Sequence, residues 1–203
     1  MASVPFPADR TFITPALVRL RAGGEVDPNL FTRWQRDGRV EKLRNGLYLN
    51  AARELRGEAG LFAVANHLVQ PSYVSLHAAL HYWELIPEVV YEVTSVTTRP
   101  TRMLRWRGTR FSYRTLHPRL FFGYEVVEWK YDTYRLACPE KALIDYAYFH
   151  PEMDDPDYVY EMRFDEQIVR EELNWGRMER YLRQIDSPTL TRRVRLLREV
   201  ELA

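Results

Sequence analysis

Cysteine is almost absent from the chain: of 203 residues, one, Cys138, carries a thiol. A single thiol closes no internal disulfide and offers no cluster for a structural metal, which excludes a disulfide-stapled fold and makes a reducing cytoplasm the expected setting. Lysine is scarce as well, three of the 29 basic residues, so positive charge rests on arginine, whose planar fork contacts phosphate or a guanine edge in a bidentate way. No apolar run reaches the length of a membrane crossing, and MASVPFPADRTF lacks the charged start and apolar stretch of a secretory signal. The phosphate cradles G-x-x-x-x-G-K-[ST] and G-x-G-x-x-G and the nucleophile elbow G-x-S-x-G are also missing, which removes the usual signatures of nucleotide binding and serine hydrolysis.

What is present is an ordinary globular composition, 46% hydrophobic and 28% charged, with a net charge of +1. That total hides an uneven distribution. Residues 1–56 carry ten basic and six acidic side chains, residues 57–150 ten and nine, and residues 151–203 nine and thirteen. Within the middle block Arg99, Arg102, Arg105, Arg107, Arg110, Arg114 and Arg119 place seven positive charges in 21 residues with no acid among them.

The basic front is organised. Thr14-Pro15 is a cap followed by a proline at the first helical position, and Ala16, Leu17, Val18 and Leu20 supply a short apolar helix ending at Gly23-Gly24. Asp27-Pro28 opens a second short helix, Asn29 to about Asp37, that stops at Gly38. Two capped helices across a tight turn predict a helix-turn-helix. On the second, Leu30, Phe31 and Trp34 face inward, while Asn29, Thr32, Arg33 and Arg36 fall on the opposite side. Asn pairs with adenine, Arg with guanine and Thr with phosphate or a thymine methyl, so this is the chemistry of a DNA recognition face. The run VEKLRNGLYL then gives two strands around Asn45-Gly46, a strong hairpin signal. A hairpin in this position is a wing, with Lys42, Arg44 and Asn45 directed toward the flanking backbone or minor groove.

The middle block reads as a helix from Gly57 to Val69, a second helix capped by Ser72 with Tyr73, Leu76, Leu80 and Trp83 as its stripe, then strands. The strands are expected over Val89 to Thr98, Met103 to Arg107, Thr109 to Leu116, Leu120 to Val127 and Tyr131 to Leu136, followed by a helix from Cys138-Pro139. In the tail, Asp154-Asp155-Pro156-Asp157 reads as a break, Phe164 to Leu173 and Met178 to Ile185 have helical spacing, and Ser187-Pro188 caps a last helix. This tail is expected to be a plain stabilising helical extension, with folding back on the middle domain or packing against a second copy as the alternatives. The whole is an α+β protein in three parts: a winged helix-turn-helix over 1–56, an α+β domain over 57–150 and a helical extension over 151–203.

The segments SYVSLHAALHYWELIPEVVYEVTSVTT, LFFGYE and LACPEKALIDYAYF, with the front ending RNGLYL, resemble the AbiEi family of type IV toxin–antitoxin antitoxins over roughly residues 10–150. The most specific parts are SLHAALHYWELIPE, TSVTT and PEKALID. The resemblance implies a winged helix that binds inverted repeats of double-stranded DNA in its own promoter and represses the operon, with two copies on the repeat. It also implies a C-terminal domain that counteracts a nucleotidyltransferase-like toxin without a stable complex. The toxin side would need a Gly-Ser pair followed by spaced acids, which this chain lacks; the tail lies outside the likeness.

Other constellations lead to blander expectations. His77 and His81 lie four apart on the expected helix with Glu84 three further on, but without an HExxH order or a second ligand cluster they read as packed residues, and no metal is expected. Cys138 has no assignable His or Asn partner, and Glu140, Lys141 and Asp145 read as capping and surface pairs. For the arginine run, with Arg99, Arg102, Arg105, Arg107 and Arg110 as a candidate second basic surface, three readings stand: a solvated sheet face, a surface for the toxin or its RNA substrate, and an auxiliary DNA contact. The expected function is that of a non-enzymatic, cofactor-free autorepressor and antitoxin. The alternative is a stand-alone winged-helix regulator or a protein-interaction module.

Overall fold

Capping chemistry sets the first elements of the computed structural model, which describes residues 4–55, 57–87, 91–130 and 132–201. After a two-residue strand β1 (Phe12–Ile13), the Thr14 hydroxyl accepts the Leu17 N–H at 3.2 Å, and helix α1 (Pro15–Ala22) ends at Gly23, whose φ of 72° is the left-handed stop. Asp27 accepts the Asn29 N–H at 2.8 Å just ahead of helix α2 (Leu30–Arg36). Strands β2 (Val40–Arg44) and β3 (Leu47–Asn50) form the expected hairpin, with Gly46 at φ 74° supplying the conformation the tight turn requires. All three strands pair antiparallel in the order β1-β3-β2. Ile13, Val18, Leu30, Phe31, Trp34 and Val40 close a small core beneath them.

Helix α3 (Gly57–Leu68) follows, and then the structure departs from the expected second helix. Ser72–Val74 is strand β4, at the centre of a sheet, and helix α4 is confined to His77–Tyr82. A strand covered on both faces shows no polar alternation, so Tyr73, Leu76 and Leu80 mimic a helical stripe. Leu76, at φ 60°, marks the break between strand and helix. Strands β5 (Glu92–Thr97), β6 (Arg102–Trp106) and β7 (Thr109–Thr115) match their expected positions, although the first two residues expected in the first, 89 and 90, lie outside the described residues. The strand expected from Leu120 begins later: Pro118–Leu120 is a 3-10 turn, and β8 is Tyr124–Trp129. Gly123 lies between them at φ 74°, where a Cβ would stand 3.0 Å from the Lys141 side chain. Strand β9 (Asp132–Ala137) leads into helix α5 (Pro139–Phe149).

These six strands form one mixed sheet, β6-β7-β5-β4-β9-β8, with β5–β7 and β4–β9 parallel and the other pairs antiparallel. Alternate residues seat its two faces. The Tyr113 hydroxyl donates to the Ala65 carbonyl of α3 at 2.7 Å on one side, and the Tyr73 hydroxyl donates to Asp145 of α5 at 2.9 Å on the other.

The supposed break at residues 154–157 is structured. A 3-10 turn, Pro151–Asp154, runs into helix α6 (Pro156–Glu161), capped by Asp155, because proline suits a first helical position as well as a loop. Helices α7 (Glu166–Glu171), α8 (Trp175–Ile185) and α9 (Pro188–Glu201) complete the chain. Val159, Val169, Met178, Leu182, Val194 and Leu197 are buried in the same core as the sheet, so the tail folds back on the α+β domain. Among the described residues no helix is long and apolar enough to cross a membrane.

Asp154 anchors α9, accepting from Arg192 at 2.7 Å and from Arg193 at 3.0 Å. Hydrogen bonds from Arg193 and Arg192 hold its carboxyl below the ordinary 3.8. A lowered native value stabilises the fold above the unfolded value and stops doing so as pH falls through the native one. The urea midpoint of Asp154→Asn should therefore lie below wild type at neutral pH, and the gap should close as pH falls below about 4.

Candidate nucleic-acid interface

A stacked ring pair fixes helix α2 against the hairpin. Phe31 stacks on Tyr48 of β3 with ring centres 4.3 Å apart, and Trp34 meets Phe31 edge-on at 5.3 Å. With that face occupied, Asn29, Thr32, Arg33 and Arg36 are all exposed on the other. Lys42, Arg44 and Asn45 at the hairpin tip are exposed too, and Arg44 leans back to donate to the Asn45 carbonyl at 3.1 Å. All seven expected contact residues thus lie on the surface of one packed unit.

They are not electrostatically equivalent. Arg33 donates to Asp27 at 2.6 Å, and Arg36 lies 3.4 Å from Asp37. The Asn29 N–H, and after it Arg33, hold the Asp27 carboxyl below the ordinary carboxylate range. Asp27 therefore does two jobs, opening the helix and neutralising an arginine on its outer face.

The arginine run is likewise divided by its surroundings. Glu41 of β2 reaches across to the β6–β7 turn, where it accepts from the Trp106 indole N–H at 2.9 Å and from Arg107 Nε at 3.1 Å. Arg110 pairs with Glu92 at 3.3 Å, and the Arg114 guanidinium lies 4.7 Å from the centre of the Phe149 ring. Arg99 Nε donates to the Gln70 carbonyl and Arg102 Nε to the Pro100 carbonyl, both at 3.4 Å. Arg105 is exposed. Strand alternation would separate Trp106 from the neighbouring cations, but Arg107 instead lies 4.6 Å over its ring. Arg107 has a φ of 47° and belongs to the turn, so the alternation ends before it. Glu41 is the residue whose role was least visible, being one of the few acids in a basic segment with its partners 65 and 66 positions away.

The largest correction concerns Glu140, Lys141 and Asp145, which are not surface pairs: their exposures are 1%, 0% and 1%. Helix α5 is enclosed between the sheet and the tail helices, so its polar side chains have no solvent to reach and must find partners inside. Lys141 pairs with Asp145, which also accepts from the Tyr73 hydroxyl at 2.9 Å and the Ser75 hydroxyl at 2.8 Å. Burial pushes the Asp145 carboxyl up against the pull of these donors. Glu140 accepts the Asn174 N–H at 2.8 Å, tying α5 to the start of α8. His77 meets Tyr146 edge-on at 5.0 Å and His150 at 5.7 Å, and among the described residues no three His, Cys, Asp or Glu side chains gather as a metal site. Cys138 is buried, which raises its thiol pKa.

No protein-family model matches the chain, and no curated protein matches it either.

Removing one member of a buried ion pair strands the other charge and costs about 3–5 kcal/mol. Lys141→Met alone should show a loss of that size in urea unfolding. Adding Asp145→Asn should recover most of it, because the amide oxygen still accepts from Tyr73 and Ser75 without carrying a charge.

Proposed function

We propose that residues 1–56 act as a winged helix-turn-helix on double-stranded DNA and that the chain is a transcriptional autorepressor with antitoxin activity. The observation that carries this reading is the common exposure of Thr32, Arg33 and Arg36 on α2, of Asn29 just ahead of it, and of Lys42, Arg44 and Asn45 on the adjoining hairpin. In the mechanism, the basic front docks electrostatically and α2 enters the major groove. The hairpin contacts the backbone alongside, and two copies occupy an inverted repeat. The antitoxin half of the proposal rests on the SLHAALHYWELIPE, TSVTT and PEKALID segments: the chain counteracts a nucleotidyltransferase-like toxin, without catalysis or cofactor of its own and without a stable complex. Co-expression with a nucleotidyltransferase-like reading frame beside its gene tests that half, and rescue of growth is the expected result. A stand-alone regulator would repress but not rescue.

Gel shifts on the DNA upstream of its own gene test the DNA-binding half. The full-length protein should shift it in a salt-sensitive way, and Arg33→Ala with Arg36→Ala should weaken the shift at least about tenfold. A shift indifferent to both salt and this double variant contradicts the reading.

Asp27 supplies a second, opposite test. Asp27→Asn keeps the acceptor for the Asn29 N–H but frees Arg33. Binding should tighten by up to about fivefold, the equivalent of the 0.2–1 kcal/mol that an exposed pair is worth.

A further inference from the structure

A cleft of about 520 Å³ lies where the helical tail meets the α+β domain, lined from the end of α4, from β8, from the start of α5, and from α7 and α8. Tyr82, Trp83 and Ile168 give it an apolar wall. The two rings meet edge-on at 5.0 Å, and the Trp83 indole N–H donates to the Ala137 carbonyl at 2.8 Å, which fixes that wall in place. Four carboxylates, Glu84, Glu125, Glu140 and Glu172, also line the cleft, against the guanidinium of Arg177. Glu140 is 1% exposed. One of its oxygens accepts the Asn174 N–H at 2.8 Å, but the other lies 3.5 Å from Arg177, the outer limit of a hydrogen bond, and Arg177 is shared with Glu125 at 3.8 Å. Glu84 and Glu172 are exposed, and no ion pair among the described residues engages either. Glu84 moreover has a left-handed backbone, φ 57°, at the stop of α4, where glycine is the residue of least cost. The position carries a carboxylate that the turn itself does not call for.

Negative charge beside aromatic and aliphatic walls suits an organic cation, because ring faces and carboxylates both attract one. Among the described residues no three His, Cys, Asp or Glu side chains gather as a metal site, so these carboxylates are spread around the cleft rather than aimed at one point. A cation whose charges are separated along an aliphatic chain meets that arrangement. We propose that the cleft binds a linear aliphatic polyamine, with its ammonium groups paired to Glu84, Glu172 and the second oxygen of Glu140, and its methylene chain against Trp83 and Ile168. Such a ligand joins α7 and α8 of the tail to α4 and α5 of the α+β domain. The proposal does not depend on the DNA-binding reading.

The experiment is calorimetric titration of the full-length protein with spermidine at constant ionic strength. A saturable heat with one spermidine per chain is expected, and an equal concentration of magnesium chloride should leave it in place. Glu84→Gln with Glu172→Gln should weaken binding about tenfold, in keeping with two partly exposed charge pairs. Both side chains are exposed, so the fold does not rest on them. Glu152→Gln with Glu161→Gln removes the same charge from outside the cleft and should leave binding unchanged. If the two double variants weaken binding equally, or magnesium displaces spermidine at equal concentration, the attraction is that of an acidic surface and the proposal is overturned. Absence of saturable binding overturns it as well. Binding of a lysine-rich peptide without binding of spermidine does the same, since it would give the cleft to a side chain of a protein partner.

Discussion

Asp145, a carboxylate with almost no exposed surface, accepts from Lys141 one helical turn earlier and from Tyr73 and Ser75 at the central strand. Much of the α+β domain is arranged around satisfying it. A charge taken out of water is tolerated only when it is paired and its remaining lone pairs are filled. Meeting that demand fixes α5 against β4 in both position and rotation. The strand cannot slip in register without withdrawing the Tyr73 and Ser75 hydroxyls together. The Lys141 stem also runs against Gly123, where the absence of a Cβ lets the chain enter β8. Glu140, one residue before Lys141, transmits the same constraint outward to the start of α8.

A second carboxylate, Glu41, sets the relation between the two sheets. By accepting from both Trp106 and Arg107 it binds the N-terminal hairpin to the edge of the six-stranded sheet, and Phe12 of β1 supports the joint by stacking on His67 of α3 at 3.8 Å. A linker alone would leave the N-terminal unit free to turn. Held in this way, it keeps a defined place against the turn that joins β6 and β7. Tertiary pairing also alters the charge that a partner meets. The arginine run has no acid in its own sequence, yet Glu41 and Glu92 neutralise two of its members from other strands.

Local chemistry was legible wherever a few adjacent residues settle the outcome. Thr14-Pro15 and Gly23 bound α1, Asn45-Gly46 turns the hairpin, and Gly108 with its flanking alternation gives β6 and β7. The outward set on α2 followed from helical spacing against Leu30, Phe31 and Trp34, all buried. Reading failed where burial on all sides erased the pattern. Ser72–Val74 looked helical because a strand covered on both faces does not alternate, and Lys141 and Asp145 looked superficial because an i, i+4 pair of opposite charges is ordinarily a surface feature.

The sequence by itself determined the α+β class, most element boundaries and the chemistry of the basic front, since caps, turns and periodicity act over a few residues. Only the tertiary structure decided which charges remain available. Whether an arginine faces solvent or a carboxylate depends on contacts such as that between Glu41 and Arg107, 66 positions apart. Electrostatic pairing is a matter of distance in space, which the order of residues along the chain does not contain.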